Sequence, residues 1–474
     1  KKKIFYHYKN FYLEKKIIKT KKKLFGDFKK LIIFFYNTNS SKLYYLINNK
    51  KYSKLASRNS INFLKLYLKN KKSLSLLKEN NIEYIRTFYI KKKAKRKLVL
   101  LLMLDGFSNV IRPYLNKSRK YFNDNYLNNV WNNAEWTLPS FGNLISGKYS
   151  QNHKCYDPIS YFIPHHLSKK IFCYKNIFEI FSQNDFVTGC YTGYNRINPT
   201  YGLTKGVDIL KHTTNESAPE IIDNIIGQLE MFNDTSNLIF SHFNDGHHLL
   251  KGYKDLAMAS ISDDHHQSHI TKSENLNKKN VFKVYDGINK EFKMSLYKYA
   301  DFKLEILYNY LDKKNYDDYT IILFGDHGSK FFDDRYLLSN QQCNIGFFIK
   351  DKKNNFDKSK LVQTIDIFPS LVNRYFNSKN NFTNFQFDGI NSLYSKNKNS
   401  FSLSESIYLN KYEIAIRANN AVYYSVYKKN ENFNLSDEKT LLLNSDLTKK
   451  INDKQKEKNF LKIRNHHLKK LLIK

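Results

Sequence analysis

A chain of 474 residues holds one large domain or two to three smaller ones at about 100–200 residues each, and is too long for a lone binding module. Hydrophobic residues make up 41% and aromatics 16%, enough apolar material for a core, which excludes wholesale disorder. The net charge of +36 is concentrated at the ends: residues 1–97 carry 29 Lys and Arg against 4 Asp and Glu, residues 449–474 carry 10 against 2, and the 351 residues between carry 40 against 37.

A compositional bias of the genome would raise Lys throughout, so the two ends read as built for a polyanion and the middle does not. The four cysteines, Cys155, Cys173, Cys190 and Cys343, are widely spaced with no Cys-x-x-Cys pair, which argues against a disulfide scaffold or a thiolate zinc site. A reducing, cytoplasmic compartment is the expectation. The longest apolar runs, near Leu31 to Tyr36 and Leu98 to Leu104, fall well short of the roughly 18–20 residues of a membrane span, so no transmembrane span is expected. The chain does not begin with Met, which leaves a preceding anchor or targeting segment open.

Residues 1–97 mix Lys clusters with apolar residues at helix-like intervals, as in Ile61, Leu64 and Leu68 and again Leu74, Leu76 and Leu77. The spacing predicts a basic, mainly helical extension. At Leu98 the texture changes to a continuous apolar run through Leu104, which fits a strand buried on both faces and opens a catalytic domain over 98–372. Similar short runs recur at Phe186 to Tyr191, Asn237 to Phe243, Tyr319 to Phe324 and Ile345 to Ile349. Between them, Leu296, Ala300, Leu304, Leu307 and Leu311 fall on one face of a helix. Strands alternating with helices predict an α/β fold, a mostly parallel central sheet with helices on both faces. After Phe368-Pro369 short β-like pieces (Glu413 to Ile416, Ala421 to Val426) predict a small C-terminal α+β subdomain over 373–448, followed by a basic tail over 449–474.

In an open parallel sheet ligands gather beyond the carboxyl ends of the strands. Two ends stand out. In Leu104-Asp105-Gly106 a carboxylate follows a buried strand, and in Gly325-Asp326-His327-Gly328 a carboxylate and an imidazole stand side by side between glycines. Asp105, Asp326 and His327 offer two oxygen ligands and one nitrogen ligand, a set that suits a divalent cation. A third element, Glu135-Trp136-Thr137-Leu138-Pro139-Ser140, places Thr137 two residues before a Pro, at or next to the start of a short helix that Gly147 closes. A hydroxyl there sits in the positive field of a helix N-terminus, which suits a phosphate or sulfate group and eases its ionisation, although a bare capping Thr has the same spacing. The polar loop with His265, His266 and His269 reads as solvated.

These segments together resemble the sulfatase and alkaline phosphatase superfamily. The order agrees: a strand with Asp105-Gly106, then Thr137-Leu138-Pro139-Ser140 with Leu144-Ile145-Ser146-Gly147, then Gly325-Asp326-His327-Gly328 after a long helix, then Asp366-Ile367-Phe368-Pro369-Ser370-Leu371 and the later pieces Asp388-Gly389 and Ser404-Glu405-Ser406. The resemblance covers about residues 98–427. It implies an alkaline phosphatase-like fold, metal binding by Asp105, Asp326 and His327, and Thr137 as nucleophile and metal contact. Asn244-Asp245-Gly246-His247-His248 falls where relatives place substrate or metal contacts, which makes His247 and His248 candidates for the ester oxygen or leaving group and Asp245 a substrate-binding candidate, with Lys330 as another. Family members that use formylglycine carry Cys or Ser in a Cys/Ser-x-Pro-x-Arg motif. Here Thr137 and Phe141 stand at those positions, Thr cannot be converted, and direct attack by Thr is the habit of phosphodiesterases and phospho-group transferases. Two-metal members have a further downstream His, yet none occurs between His327 and His466, so one divalent ion (Ca, Mn or Zn) is expected.

The resemblance implies a metal-dependent hydrolase of a sulfate or phosphate ester. The alternatives are a phosphoethanolamine- or phosphoglycerol-type transferase acting on surface glycans, and a non-catalytic polyanion-binding protein on the same fold. The substrate is expected to be an anionic ester, glycan- or lipid-linked. The basic ends are expected to make peripheral contact with an anionic membrane, with nucleic acid disfavoured because the segment lacks the Gly/aromatic motifs of single-strand binders.

Overall fold

The computed structural model describes residues 28–37, 42–47, 50–55, 60–67, 74–76, 82–91, 95–156, 174–193, 197, 204–212, 217–246, 278–328, 336–376, 386–396, 399–408, 410–430 and 433–472. The chain divides into two compact units, Lys1–Arg96 and Lys97–Lys474.

The first unit is built of strands and corrects the expected helical extension. Strands β1 (Phe28–Asn37), β2 (Lys42–Ile47), β3 (Lys50–Leu55), β4 (Ser60–Tyr67), β5 (Leu74–Leu76) and β6 (Ile82–Lys91) form two antiparallel sheets, ordered β4-β1-β6 and β3-β2-β5. The helix-like spacing of Ile61, Leu64 and Leu68 was weaker than local composition. Runs such as Ile32-Ile33-Phe34-Phe35-Tyr36 and Ile85-Arg86-Thr87-Phe88-Tyr89-Ile90 are β-branched and aromatic, which lose rotamer freedom in a helix and fit a pleated surface. Leu64 and Leu66 are buried with Lys65 between them, a period of two.

In the second unit, β7 (Lys97–Leu104), β9 (Phe186–Thr192), β10 (Ile209–His212), β11 (Ser236–Phe243), β12 (Asp318–Gly325) and β13 (Phe347–Asp351) form a six-stranded sheet ordered β10-β9-β11-β7-β12-β13. All neighbours pair parallel except the edge strand β13, which runs antiparallel to β12. Alternate residues of β7 enter opposite cores. Val99, Leu101 and Met103 meet Phe141, Leu144, Phe240 and Leu371 on one face, and Leu98, Leu100, Leu102 and Leu104 meet Ile221, Ile225, Leu229, Leu304 and Leu307 on the other. Helices α1 (Thr137–Ser146) and α5 (Ile367–Phe376) contribute to the first core, α2 (Ala218–Met231) and α3 (Lys278–Asp312) to the second, and the one-turn α4 (Asn340–Cys343) lies between β12 and β13 in sequence. The predicted stripe Leu296, Ala300, Leu304, Leu307 and Leu311 is buried along α3.

Two-residue strands β8 (Val130–Trp131) and β14 (Val362–Gln363) pair beside the sheet. The C-terminal region adds an antiparallel sheet of β15 (Ser402–Tyr408), β16 (Lys411–Ala418), β17 (Ala421–Lys429) and β18 (Leu435–Asn444), against which α6 (Lys454–Leu472) packs through Phe460. Residues of the predicted basic tail thus form an amphipathic helix. Among the described residues no helix is long and apolar enough to cross a membrane.

Arg374 of α5 clamps β12 to β13. Its guanidinium lies 2.7 Å from Asp318 Oδ1 and 3.2 Å from Asp351 Oδ1, with all three side chains nearly inaccessible. Burial alone would raise the Asp318 carboxyl, but hydrogen bonds from Arg374 and Lys353 outweigh it and hold it below its ordinary value. Arg374→Met strands these carboxylates and is expected to cost about 3 kcal/mol at neutral pH. A carboxyl held low in the folded state contributes stability above its unfolded pKa and loses it as pH falls through the folded one. Denaturant unfolding of wild type and Arg374→Met should therefore converge toward acid, and a difference that stays constant below pH 4 would contradict the clamp.

Candidate active site

The register sets the site. Phe243 and Gly325 both pair with Leu104, so the carboxyl ends of β11, β7 and β12 are level, and the residues that follow them share one edge of the sheet. Gly106 turns the chain there with φ +67°, a left-handed conformation that glycine adopts without strain, and Gly106 N–H donates to Asp326 Oδ1 at 2.9 Å. His327 N–H donates to the same oxygen at 2.8 Å, so one side of Asp326 is fixed by backbone and Oδ2 is left facing the site. Tyr297 of α3 holds the turn from the other face, its hydroxyl donating to Asp105 O at 3.0 Å.

Thr137 is the first residue of α1, and Trp136 in extended conformation is the cap. Thr137 is therefore not a capping residue. Its Oγ1 lies 3.4 Å from Asp105 Oδ2, to which it donates, and 3.5 Å from His327 Nε2. Gly147 closes the helix in the left-handed region, as its place in the sequence predicts. The segment before Thr137 is stitched to β15. Ser404 Oγ donates to Asn132 O at 2.6 Å, Asn133 Nδ2 to Leu403 O at 2.7 Å, and Ser406 Oγ to Glu135 Oε1 at 2.6 Å. Burial raises the Glu135 carboxyl to about 7.

Three ionisable groups, Asp105, Asp326 and His327, converge at this edge. Asp105 and Asp326 are fully buried, and burial followed by the charge of Asp105 raises the Asp326 carboxyl. His327 Nε2 stands 3.3 Å from Asp326 Oδ2 and 3.8 Å from Asp105 Oδ1. Its Nδ1 is 2.7 Å from Gly328 O, which assigns the proton to Nδ1 and directs the Nε2 lone pair at the carboxylates. Burial would lower the His327 pKa, but Asp326 and Asp105 outweigh it and raise it. A lone pair and two carboxylates aimed at one point fit a divalent cation, with oxygen and nitrogen donors of the kind such ions take.

His242, on β11, is a candidate ligand that the motifs do not mark. It is fully buried, its Nε2 lies 3.2 Å from Asp105 Oδ2, and Asp105, His242 and Asp326 offer ligand atoms all within 4.8 Å of one another. It was absorbed into the apolar run Asn237 to Phe243. The available signal was a histidine one residue from the carboxyl end of a strand buried on both faces, where a polar side chain needs a partner.

The structure thus brings Asp105, Thr137, Asp326 and His327 together as the motifs predict. Asp245 is buried at the end of β11, and its Oδ1 accepts from Ala218 N–H at 3.2 Å, which ties it to the start of α2. His247, His248, Lys330, His265, His266 and His269 lie outside the described residues.

Comparison with curated protein sequences returns no match. Solved structures match over most of the chain. BT4656, in complex with its substrate D-glucosamine-2-N,6-O-disulfate, is 11% identical with a TM-score of 0.54 over 80% of this chain and 98% of its own. BT1596, described as a 2-O GAG sulfatase, is 14% identical with a TM-score of 0.53 over 80% and 92%. The yidJ protein from Bacteroides fragilis is 13% identical with a TM-score of 0.53 over 75% and 90%. At such identities these likenesses establish the alkaline phosphatase-like fold of sulfatases. The Sulfatase family model matches residues 97–375, from the first strand of the central sheet through α5. With more than half of its length inside that match and the site at the matched strand ends, the chain belongs to the sulfatase family and is a sulfatase-like hydrolase.

Proposed function

We propose that the chain cleaves a sulfate or phosphate ester by direct attack of Thr137. The observation that carries this reading is the position of Thr137 Oγ1, at the head of α1 and within 3.5 Å of both Asp105 and His327. Asp105, Asp326 and His327, with Thr137 and His242 beside them, would hold a divalent cation. Bound there, the ion supplies Lewis-acid polarisation of an ester oxygen and lowers the cost of the Thr137 alkoxide.

The remaining work falls to the chain. By helix geometry the N–H groups of Thr137 and Leu138 have no intrahelical acceptor, so the first turn of α1 presents donors to an anionic group. Thr137 Oγ transfers its proton to Asp105, whose Oδ2 it faces at 3.4 Å, and forms a bond to phosphorus or sulfur. The alcohol then departs with the electrons of the broken ester bond and takes a proton from His247 or His248. Water cleaves the resulting threonyl ester and releases the inorganic anion. Thr137 favours phosphate over sulfate because it cannot become formylglycine. Solved neighbours that carry sulfated sugars in their names support an anionic sugar ester as the substrate class. Transfer to a glycan in place of water uses the same residues and differs only in the acceptor.

A panel of aryl phosphate mono- and diesters and aryl sulfates, with and without a sugar acceptor, tests the reading. Thr137→Ala is expected to lower kcat by on the order of 10³ or more. Its thermal midpoint should stay near wild type, because a helix-start hydroxyl that makes no cap contributes at most about 1 kcal/mol. Full activity in folded Thr137→Ala would assign the attack to water. Absence of turnover on every ester would favour the non-catalytic, polyanion-binding reading.

We also propose that the first unit holds the protein at an anionic membrane face. The support is its charge, 28 Lys and Arg against 4 Asp and Glu over residues 1–96. At about 1 kcal/mol per Lys near such a surface, a few of the clusters at Lys1 to Lys3, Lys21 to Lys23 and Lys91 to Lys97 suffice at low salt. Co-sedimentation of the full chain with phosphatidylserine vesicles should be strong in low salt and weaken as salt rises. Recovery that is insensitive to salt, or no greater than with neutral vesicles, would remove this idea.

A further inference from the structure

Helix α6 sorts its residues by face. On the inner side Phe460 and His467 are buried, and His467 Nε2 stands 3.2 Å from Glu405 Oε2. Two cations on the flanks are paired, Arg464 with Glu438 and Lys456 with Asp453. The outer side carries Lys454, Lys458, Lys462, His466 and Lys469, all exposed and, among the described residues, in no ion pair. Spacings of four, four, four and three residues place these five in one row along the helix, with neighbours about 5–6 Å apart in axial rise.

The like charges of the four lysines in this row repel one another and oppose helix formation, so the helix is held by the packing of its inner face. One acid, the exposed Glu457, offsets the row at its start, and the other exposed residues that flank it are the amides Gln455, Asn459 and Asn465.

We propose that this row binds a linear anionic polysaccharide bearing sulfate or phosphate groups. A row one side chain wide matches a one-dimensional array of charges. A bilayer is a poorer match, because the apolar face of α6 is spent on the C-terminal sheet and none remains to insert. A nucleic acid is also a poorer match, since the outer face has no exposed aromatic or Arg on which a base stacks. Flanking amides suit sugar hydroxyls. The preference for a glycan among polyanions rests on the ester-hydrolase reading, whereas binding itself needs no turnover, so the two can fail separately.

Binding of dextran sulfate to the full chain tests the proposal, with uncharged dextran as the blank. The variant Lys454→Gln/Lys458→Gln/Lys462→Gln/Lys469→Gln is compared with a charge-matched one, Lys411→Gln/Lys439→Gln/Lys449→Gln/Lys450→Gln, whose lysines are exposed elsewhere on the same region. The first should weaken binding at least about tenfold and flatten its salt dependence, and the second should change it less than about twofold. The double variant Lys458→Gln/Lys462→Gln gives the same reading with less perturbation of the helix. Equal loss in both quadruple variants, or no loss in the first, would overturn the proposal. So would tighter binding of oligo-dT than of dextran sulfate through the same four lysines.

Discussion

Two carboxylates, Asp105 and Asp326, stand fully buried at the level ends of neighbouring parallel strands, and everything around them responds to that charge. Buried anions at such proximity are costly unless paired. Backbone N–H groups of Gly106 and His327 share the load on one oxygen of Asp326, and the His327 imidazole stands 3.3 Å from the other. Asp105, His242 and Asp326 together form a candidate metal-binding group, with Thr137 at the head of α1 beside it.

The constraint reaches outward through the backbone. Residue Gly328 lies so close to α4 that a Cβ there would sit 1.7 Å from Gln341 O, while its N–H donates to Gln342 O at 2.7 Å. Gln342 in turn donates to Glu135 O at 2.6 Å, two residues before Thr137. With Asn132, Asn133 and Glu135 all bonded to β15, the C-terminal sheet takes part in placing Thr137. The small subdomain and the central sheet therefore act on the site as one framework.

The central sheet was legible because its strands are apolar on both faces, a pattern that Leu98 to Leu104 carries without interruption and Tyr319 to Phe324 with only Thr320 breaking it. Asp105, Asp326 and His327 were legible because charge directly after such a run has few other uses. His242 was not, since a histidine inside an apolar strand signals only that it needs a partner, and only the pairing of β11 with β7 brings it to Asp105. The first unit was misread for a related reason. Leu64 and Leu68 are spaced as in a helix, but the β-branched and aromatic residues around them decide the conformation through rotamer freedom and cross-strand packing, which a spacing of leucines does not report.

The account turns on a cation between the two strand ends. Crystals grown with Mn and measured at an anomalous wavelength address it most directly. The expected result is one anomalous peak per chain, in contact with Asp105, Asp326 and His327 and within reach of Thr137, and lost in Asp326→Ala. A peak bound elsewhere, or none at saturating metal in a wild-type protein whose four side chains keep the distances described, would contradict it.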